Sequence, residues 1–303
     1  MSQTFKNSIL IIFAFAMINA SEAKQKFAPE NTLYLQDNKK MITNITETQF
    51  NEIIDKIIAI YAPLATQKGA TLTSHNHWSD STVNAYAEQS EDGLSWTIDM
   101  FGGLARRPEV TLDGFALVVC HELGHHFGGF AFYQSAGDDW AATEGQSDYY
   151  ATLACAREVW KNEVTENANA RANVQSYVKN KCDTVWKTEA EQNLCYRISA
   201  AGESLAHLLA TLGGSSKPKF DTPSRQVARR TQEGHPEAQC RLDTYFNGAL
   251  CNANPDLTVI PGRNHAKGQG SLEAEQESAK HTCFKSDGYT LGLRPACWFN
   301  ARL

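Results

Sequence analysis

Apolar positions along the chain switch between a helical and an alternating period, and the order of the switches outlines a fold. Phe50, Ile53, Ile54, Ile57, Ile58 and Tyr61 recur at helical spacing behind Thr46-x-x-Gln49, a pair whose side chains cap each other's backbone N–H groups. They predict an amphipathic helix that runs to Pro63. Ala70 to Ser74, Thr82 to Ala87 and Leu94 to Met100 read as short strands, the last two joined by the turn Ser90-Glu91-Asp92-Gly93, so a small antiparallel sheet is expected. Helical spacing returns from Leu112 to Phe127, between Thr111 or Asp113 and the stop Gly128-Gly129. It returns again from about Trp140 to Trp160, behind Asp138 or Asp139, and from Glu189 to Leu212, stopped by Gly213-Gly214. Thr222-Pro223 and His235-Pro236 predict two helix starts with proline in the first turn.

After Cys251 the chain becomes rich in Gly and Pro, and reads as loops held by cysteines. One α+β domain over 46–251 explains this order better than two, with an irregular arm or pro-segment at 24–45 and a loop-rich tail at 252–303. Residues 1–23 are set apart. Lys6, the apolar run Ile9 to Ile18 and the small residues of Ser21-Glu22-Ala23 predict a cleaved secretory signal, with Ala20 as an alternative cleavage position. The run is far shorter than the ~20 residues that span a bilayer. The remaining chain is therefore expected to be secreted or periplasmic, with no membrane span.

Composition narrows this further. Lys and Arg number 28 against 34 Asp and Glu, a net charge of −6 with no basic block, which argues against a nucleic-acid partner held through phosphates. The eight cysteines include no C-x-x-C pair, so an oxidising compartment makes them four disulfides. Sequence proximity favours Cys182 with Cys195, Cys240 with Cys251, and Cys283 with Cys297.

The chemistry concentrates in His121-Glu122-Leu123-Gly124-His125. Residues four apart share a helix face, so His121 and His125 can present two imidazole nitrogens to one metal ion, with Glu122 placed beside a water on it. Eighteen residues separate His125 from Glu144, enough to end one helix and return along a second. Glu144 would complete a His₂Glu set of the kind that leaves a fourth position open, and Asp148, one turn on, can accept the second ring N–H of a ligating histidine. His75 and His77 alternate onto one strand face, though an ordinary strand end explains them as well. His126 points about 100° away from its neighbour on a helix, and His207, Tyr149 and Tyr150 read as core residues.

H-E-x-x-H followed by E-x-x-x-D resembles the gluzincin metallopeptidases, and the eighteen-residue gap is similar to that of their aminopeptidase branch. Asn84-Ala85-Tyr86-Ala87 with the following strand and Gly102-Gly103-Leu104, and His235-Pro236 followed by Arg241, resemble segments of the M48 peptidases. The likeness spans roughly residues 80 to 245. It departs from the M48 pattern in a shorter His125 to Glu144 gap and in lacking membrane helices. The resemblance implies a zincin-like fold with an active-site helix and a glutamate helix, and one Zn²⁺ per chain on His121, His125 and Glu144. It further implies Glu122 as general base, His235 as donor to a developing oxyanion, and Asp148 and Arg241 as supports. A peptide or protein substrate follows, cut internally rather than from an end, with the strand Leu94 to Met100 as the edge to which it adds. Two alternatives stay open: an exported zinc-binding protein without turnover, and hydrolysis of a non-protein amide such as one in cell-wall material. Glu122 favours an enzyme, because metal binding alone has no need of that acid.

Overall fold

The computed structural model describes residues 24–36, 45–265 and 268–302. The expected signal segment lies outside the described residues, as does 37–44 of the arm. In chain order the elements are β1 (Gln25–Lys26), α1 (Glu47–Gln67), β2 (Thr71–His77), β3 (Ala85–Gln89), β4 (Ser95–Phe101) and α2 (Gly102–Ala105). Then follow α3 (Leu112–Phe127), α4 (Glu144–Tyr150), a π-helical turn (Ala151–Cys155), α5 (Ala156–Trp160), α6 (Val164–Ala170) and α7 (Ser176–Val185). The chain closes with α8 (Glu189–Leu212), α9 (Ala238–Leu250) and α10 (Leu272–Ala279). The class is α+β, as the pattern predicts.

Helices with clear capping obey their sequence. The Thr46 and Gln49 capping box starts α1, Thr111 accepts from the Gly114 N–H at the start of α3, and α8 spans the expected residues behind its own Thr188 and Glu191 box. Three expectations shift. α1 continues past Pro63 to Gln67, because the carbonyl that the proline leaves unpaired belongs to exposed Ala59 and faces water. The glutamate helix begins at Glu144 behind Thr143 rather than near Trp140, since residues 138–143 form turns and a short bridge between Phe132 and Ala142. No helix starts at Thr222-Pro223, and the one after His235-Pro236 starts at Ala238, leaving the proline ahead of its N-cap Glu237.

The sheet is mixed, not antiparallel, with strand order β1-β3-β4-β2. β3 and β4 form the expected antiparallel hairpin, but β2 lies parallel to β4, pairing Thr71 with Ser95 through His77 with Phe101. The link 78–84 is too long for a hairpin turn. Buried Arg106 ties it across the sheet end through the carbonyls of Trp78 (2.6 Å) and Asp80 (3.0 Å). β4 is thus an inner strand and offers no free edge, which overturns its expected role in receiving substrate. Gln25 and Lys26 of the arm add a fourth strand antiparallel to β3, so the first part of the arm is ordered rather than irregular.

α3 packs against both the sheet and α1. Phe50 stacks on Phe115 at 4.9 Å, Tyr61 meets Phe127 at 5.1 Å, and Trp96 meets Phe127 at 5.2 Å, so α3 is buried along its length. α4 approaches α3 at Gly124, where a methyl group would lie 2.8 Å from the Ser147 Cα; no larger residue fits between these helices. The tail folds back on α4. Trp298 lies against Gly145, and Arg294 bonds Gln146 (3.1 Å) and the Phe130 carbonyl (2.9 Å).

Four disulfides are present: Cys120–Cys155, Cys182–Cys195, Cys240–Cys297 and Cys251–Cys283. Of the three expected pairs only Cys182–Cys195 forms. Cys240 and Cys251 sit at opposite ends of α9, more than ten residues of helix apart, so no bridge can join them. Disulfides persist in oxidising compartments, and among the described residues no helix is long and apolar enough to cross a membrane.

Cys120 precedes His121, and Cys155 ends the π-helical turn after α4, so this bridge closes a 35-residue loop holding both candidate helices. Replacing both cysteines by alanine is expected to lower unfolding free energy by about 2–4 kcal/mol. A denaturant titration showing a loss under about 0.5 kcal/mol would mean that helix packing alone fixes the pair.

Candidate metal centre

α3 and α4 bring His121, His125 and Glu144 together in a buried group whose ligand atoms lie within 4.8 Å of one another. The His121 Nε2 is 3.4 Å from Glu144 Oε2 and the His125 Nε2 is 3.6 Å from Glu144 Oε1. The other nitrogen of each ring is already engaged. His121 Nδ1 meets Asp148 Oδ1 at 2.8 Å, and His125 Nδ1 meets the Ala142 carbonyl at 2.8 Å. A carbonyl only accepts, so His125 carries its proton on Nδ1 and turns the Nε2 lone pair inward; Asp148, as an ionised acceptor, takes the Nδ1–H of His121, leaving Nε2 as the nitrogen that faces the group.

The orphaned atoms decide the fit. His121 Nε2, His125 Nε2, Glu144 Oε2 and both carboxylate oxygens of Glu122 are buried without a hydrogen-bond partner. Buried polar atoms are nearly always paired, and two imidazole nitrogens with a carboxylate suit a divalent cation. The group can hold a metal ion.

Electrostatics follow from burial and charge. Burial alone would lower the His121 pKa, but the carboxylates of Asp148 and Glu144 raise it to about 9. His125 is lowered to about 4, mainly by burial. Burial pushes Glu122 well above the usual carboxylate range, against the opposing charges of His121 and Arg241. Burial would also raise Glu144, yet His235 and the two ring partners hold it below the usual range. Asp148 is likewise held low against its burial, chiefly by Arg241.

The other sequence candidates separate cleanly. His235 comes to the group: its Nε2 is 3.4 Å from Glu144 Oε2 and 2.7 Å from the Lys26 carbonyl, and the bond to that carbonyl requires the proton on Nε2. Arg241 lies behind it, bonding Asp148 through Nε (2.6 Å) and Nη2 (2.7 Å). His126 is elsewhere, stacked between Trp96 and Trp140, with Gln89 and the Thr97 carbonyl on its nitrogens. Tyr149 donates to the Gly292 carbonyl and Tyr150 to Tyr61, so neither reaches the group. His207 is half-buried on α8. His75 and His77 do share a strand face, both on Asp99 Oδ1, at 2.9 and 3.1 Å.

Three neighbours escaped sequence reasoning. Tyr133 donates to Glu144 Oε1 at 3.2 Å from the loop after α3, and no period or motif marks it. Lys26 and Phe27 cover the group from the arm, where a two-residue strand leaves no pattern. The chain matches no protein-family model, no curated protein and no solved structure.

A proton on His121 competes with a metal ion for Nε2, so affinity should fall as the pH drops below about 9, by up to tenfold per unit. Calorimetric titration of the metal-free protein with zinc near pH 7, in two buffers of different ionisation enthalpy, should register at least one proton released per ion. Uptake with no release would mean that His121 is not charged in the empty site.

Proposed function

We propose that this chain is a zincin-like, zinc-dependent peptidase of the gluzincin type, acting on peptide bonds of extended peptide or protein substrates in an exported, oxidising setting. The observation that carries this reading is the Glu122 carboxyl, buried with both oxygens unpaired beside the orphaned ligand atoms. An unpaired buried acid is destabilising, and a metal-binding protein without turnover gains nothing from it. When bound, zinc supplies Lewis acidity toward a carbonyl oxygen and makes water a far stronger acid.

The protein groups then divide the work. His121, His125 and Glu144 would hold the ion, with Glu144 oriented further by Tyr133. Asp148 fixes the His121 ring, and Arg241 keeps Asp148 ionised. Glu122 takes a proton from attacking water and passes it to the leaving amine, a task suited to a carboxylate whose pKa burial has raised. His235 carries an Nε2–H directed at a carbonyl oxygen, the geometry of a donor that strengthens as that oxygen gains charge. Extended peptides add to sheet edges through main-chain hydrogen bonds, and the outer edge of β3, which β1 of the arm occupies, is the corresponding place here.

Metal analysis of the folded protein supplied with zinc should find one ion per chain, lost in His121→Ala. A stable protein that takes up no zinc would overturn the reading. Glu122→Gln should retain zinc and thermal stability while lowering peptide hydrolysis by about 10² or more. Activity within about tenfold of the parent would remove Glu122 from the proton path.

A further inference from the structure

The arm sits on the proposed active site in the manner of a bound peptide. Gln25 and Lys26 pair antiparallel with Ala87 and Tyr86 of β3, and the Phe27 N–H continues the ladder to the Ala85 carbonyl at 3.1 Å. Sheet pairing alone needs nothing more. Yet two successive main-chain carbonyls of this segment are taken by cationic or donor side chains of the site itself. The Lys26 carbonyl accepts from His235 Nε2 at 2.7 Å, and the Phe27 carbonyl accepts from Arg241 Nη1 at 2.6 Å. Asn84, at the head of β3, grips the next residue through the Ala28 N–H and carbonyl, both at 3.0 Å. The Phe27 ring is wholly buried, edge-on to His121 at 5.3 Å and under the Arg241 guanidinium at 4.9 Å. Beyond it the chain runs along an open cavity of about 530 Å³, lined in part by Pro29, Glu30, Leu209, His235 and Arg241.

We propose that residues 24–28 are a substrate-like peptide held in cis: they fill the cleft in the register of a substrate, place the Lys26 carbonyl at the reacting position and put Phe27 in the pocket beside His121. The occupant names the ligand class. It is an extended peptide with a large apolar or aromatic residue directly after the attacked carbonyl, bound mainly through its backbone. It also makes the full chain self-limiting, because an external peptide competes with a tethered one. This inference rests on the peptidase reading for the meaning of the cleft, but occupancy itself is measurable without turnover.

The outer anchors of the segment lie away from the site. Lys24 pairs with Glu88 (2.7 Å) and Asp99 (3.5 Å), and Gln25 bonds Asp138 (3.1 Å). They allow loosening without touching the core. The binding probe is a dye-labelled peptide with the sequence of residues 24–30, titrated into zinc-loaded full-length protein carrying Glu122→Gln so that the probe survives. Phe27→Ala, and separately Lys24→Ala with Gln25→Ala, should each bind the probe about tenfold or more tightly than the parent, since tethered occupancy reduces apparent affinity by the open fraction. With Glu122 restored, the same variants should hydrolyse a quenched Phe-containing peptide faster at low substrate, and the unlabelled 24–30 peptide should inhibit them.

Cooperative thermal unfolding is the fold control. If Phe27→Ala does not fold, the Lys24 and Gln25 variant carries the test alone. A folded variant that binds the probe no better than the parent overturns the proposal and leaves β1 a structural strand. Tighter probe binding with no hydrolysis by any form supports occupancy and sinks the peptidase reading instead.

Discussion

The site hangs on one buried carboxylate. Asp148 receives the Nδ1–H of His121 and two N–H groups of Arg241 in a fully buried setting, and Arg241 in turn reaches the Phe27 carbonyl and, at 3.2 Å, the Tyr245 hydroxyl. Through this single side chain α3, α4, α9 and the arm are tied to one another. Removing one partner of such a set leaves a charge stranded and typically costs about 3–5 kcal/mol, whereas an apolar replacement of the whole set is often neutral or stabilising. Stability therefore does not explain why charge is kept here. Positioning does: Asp148 fixes which nitrogen of His121 faces His125 and Glu144, and Arg241 joins that choice to the arm segment lying over the group.

Glycine at position 124 is the steric counterpart of this electrostatic tie. α4 can bring Glu144 to within 3.6 Å of both histidine nitrogens only because α3 offers no side chain where the helices touch. The Cys120–Cys155 bridge then holds the pair from the far side, next to His121 itself. The tail contributes from outside, with Trp298 packed on Gly145 and Arg294 on Gln146. A loop-rich tail tied by two disulfides thus buttresses the glutamate helix that a sequence reading places far from it.

What was legible in the sequence was local. α3 and α8 begin and end at the expected residues because capping side chains and glycine stops act within a few positions. The four-residue spacings of His121 with His125 and of Glu144 with Asp148 translate directly into shared helix faces. Long-range pairing was not legible. β2 is polar along six of its seven residues, so its own pattern does not say which neighbour it joins or in which direction. Cys240 and Cys251 are near in sequence yet at opposite ends of a rigid helix, and only the tertiary fold supplies their true partners. Tyr133 and the arm reach the site from loop and edge, where neither period nor spacing leaves a trace.

Burial and neighbouring charge act against each other throughout this buried cluster. Against their burial, Arg241 and His121 are raised beside carboxylates and Asp148 and Glu144 are lowered beside basic groups, whereas burial raises Glu122 and lowers His125 and His235. A divalent cation held by His121, His125 and Glu144 would compete with a proton for His121 Nε2 and would favour the charged form of Glu122. A low-dielectric pocket penalises net charge far more than it penalises paired charge. On the peptidase reading, His121 would give up its proton where the ion binds, and Glu122 would act as a base only beside that ion.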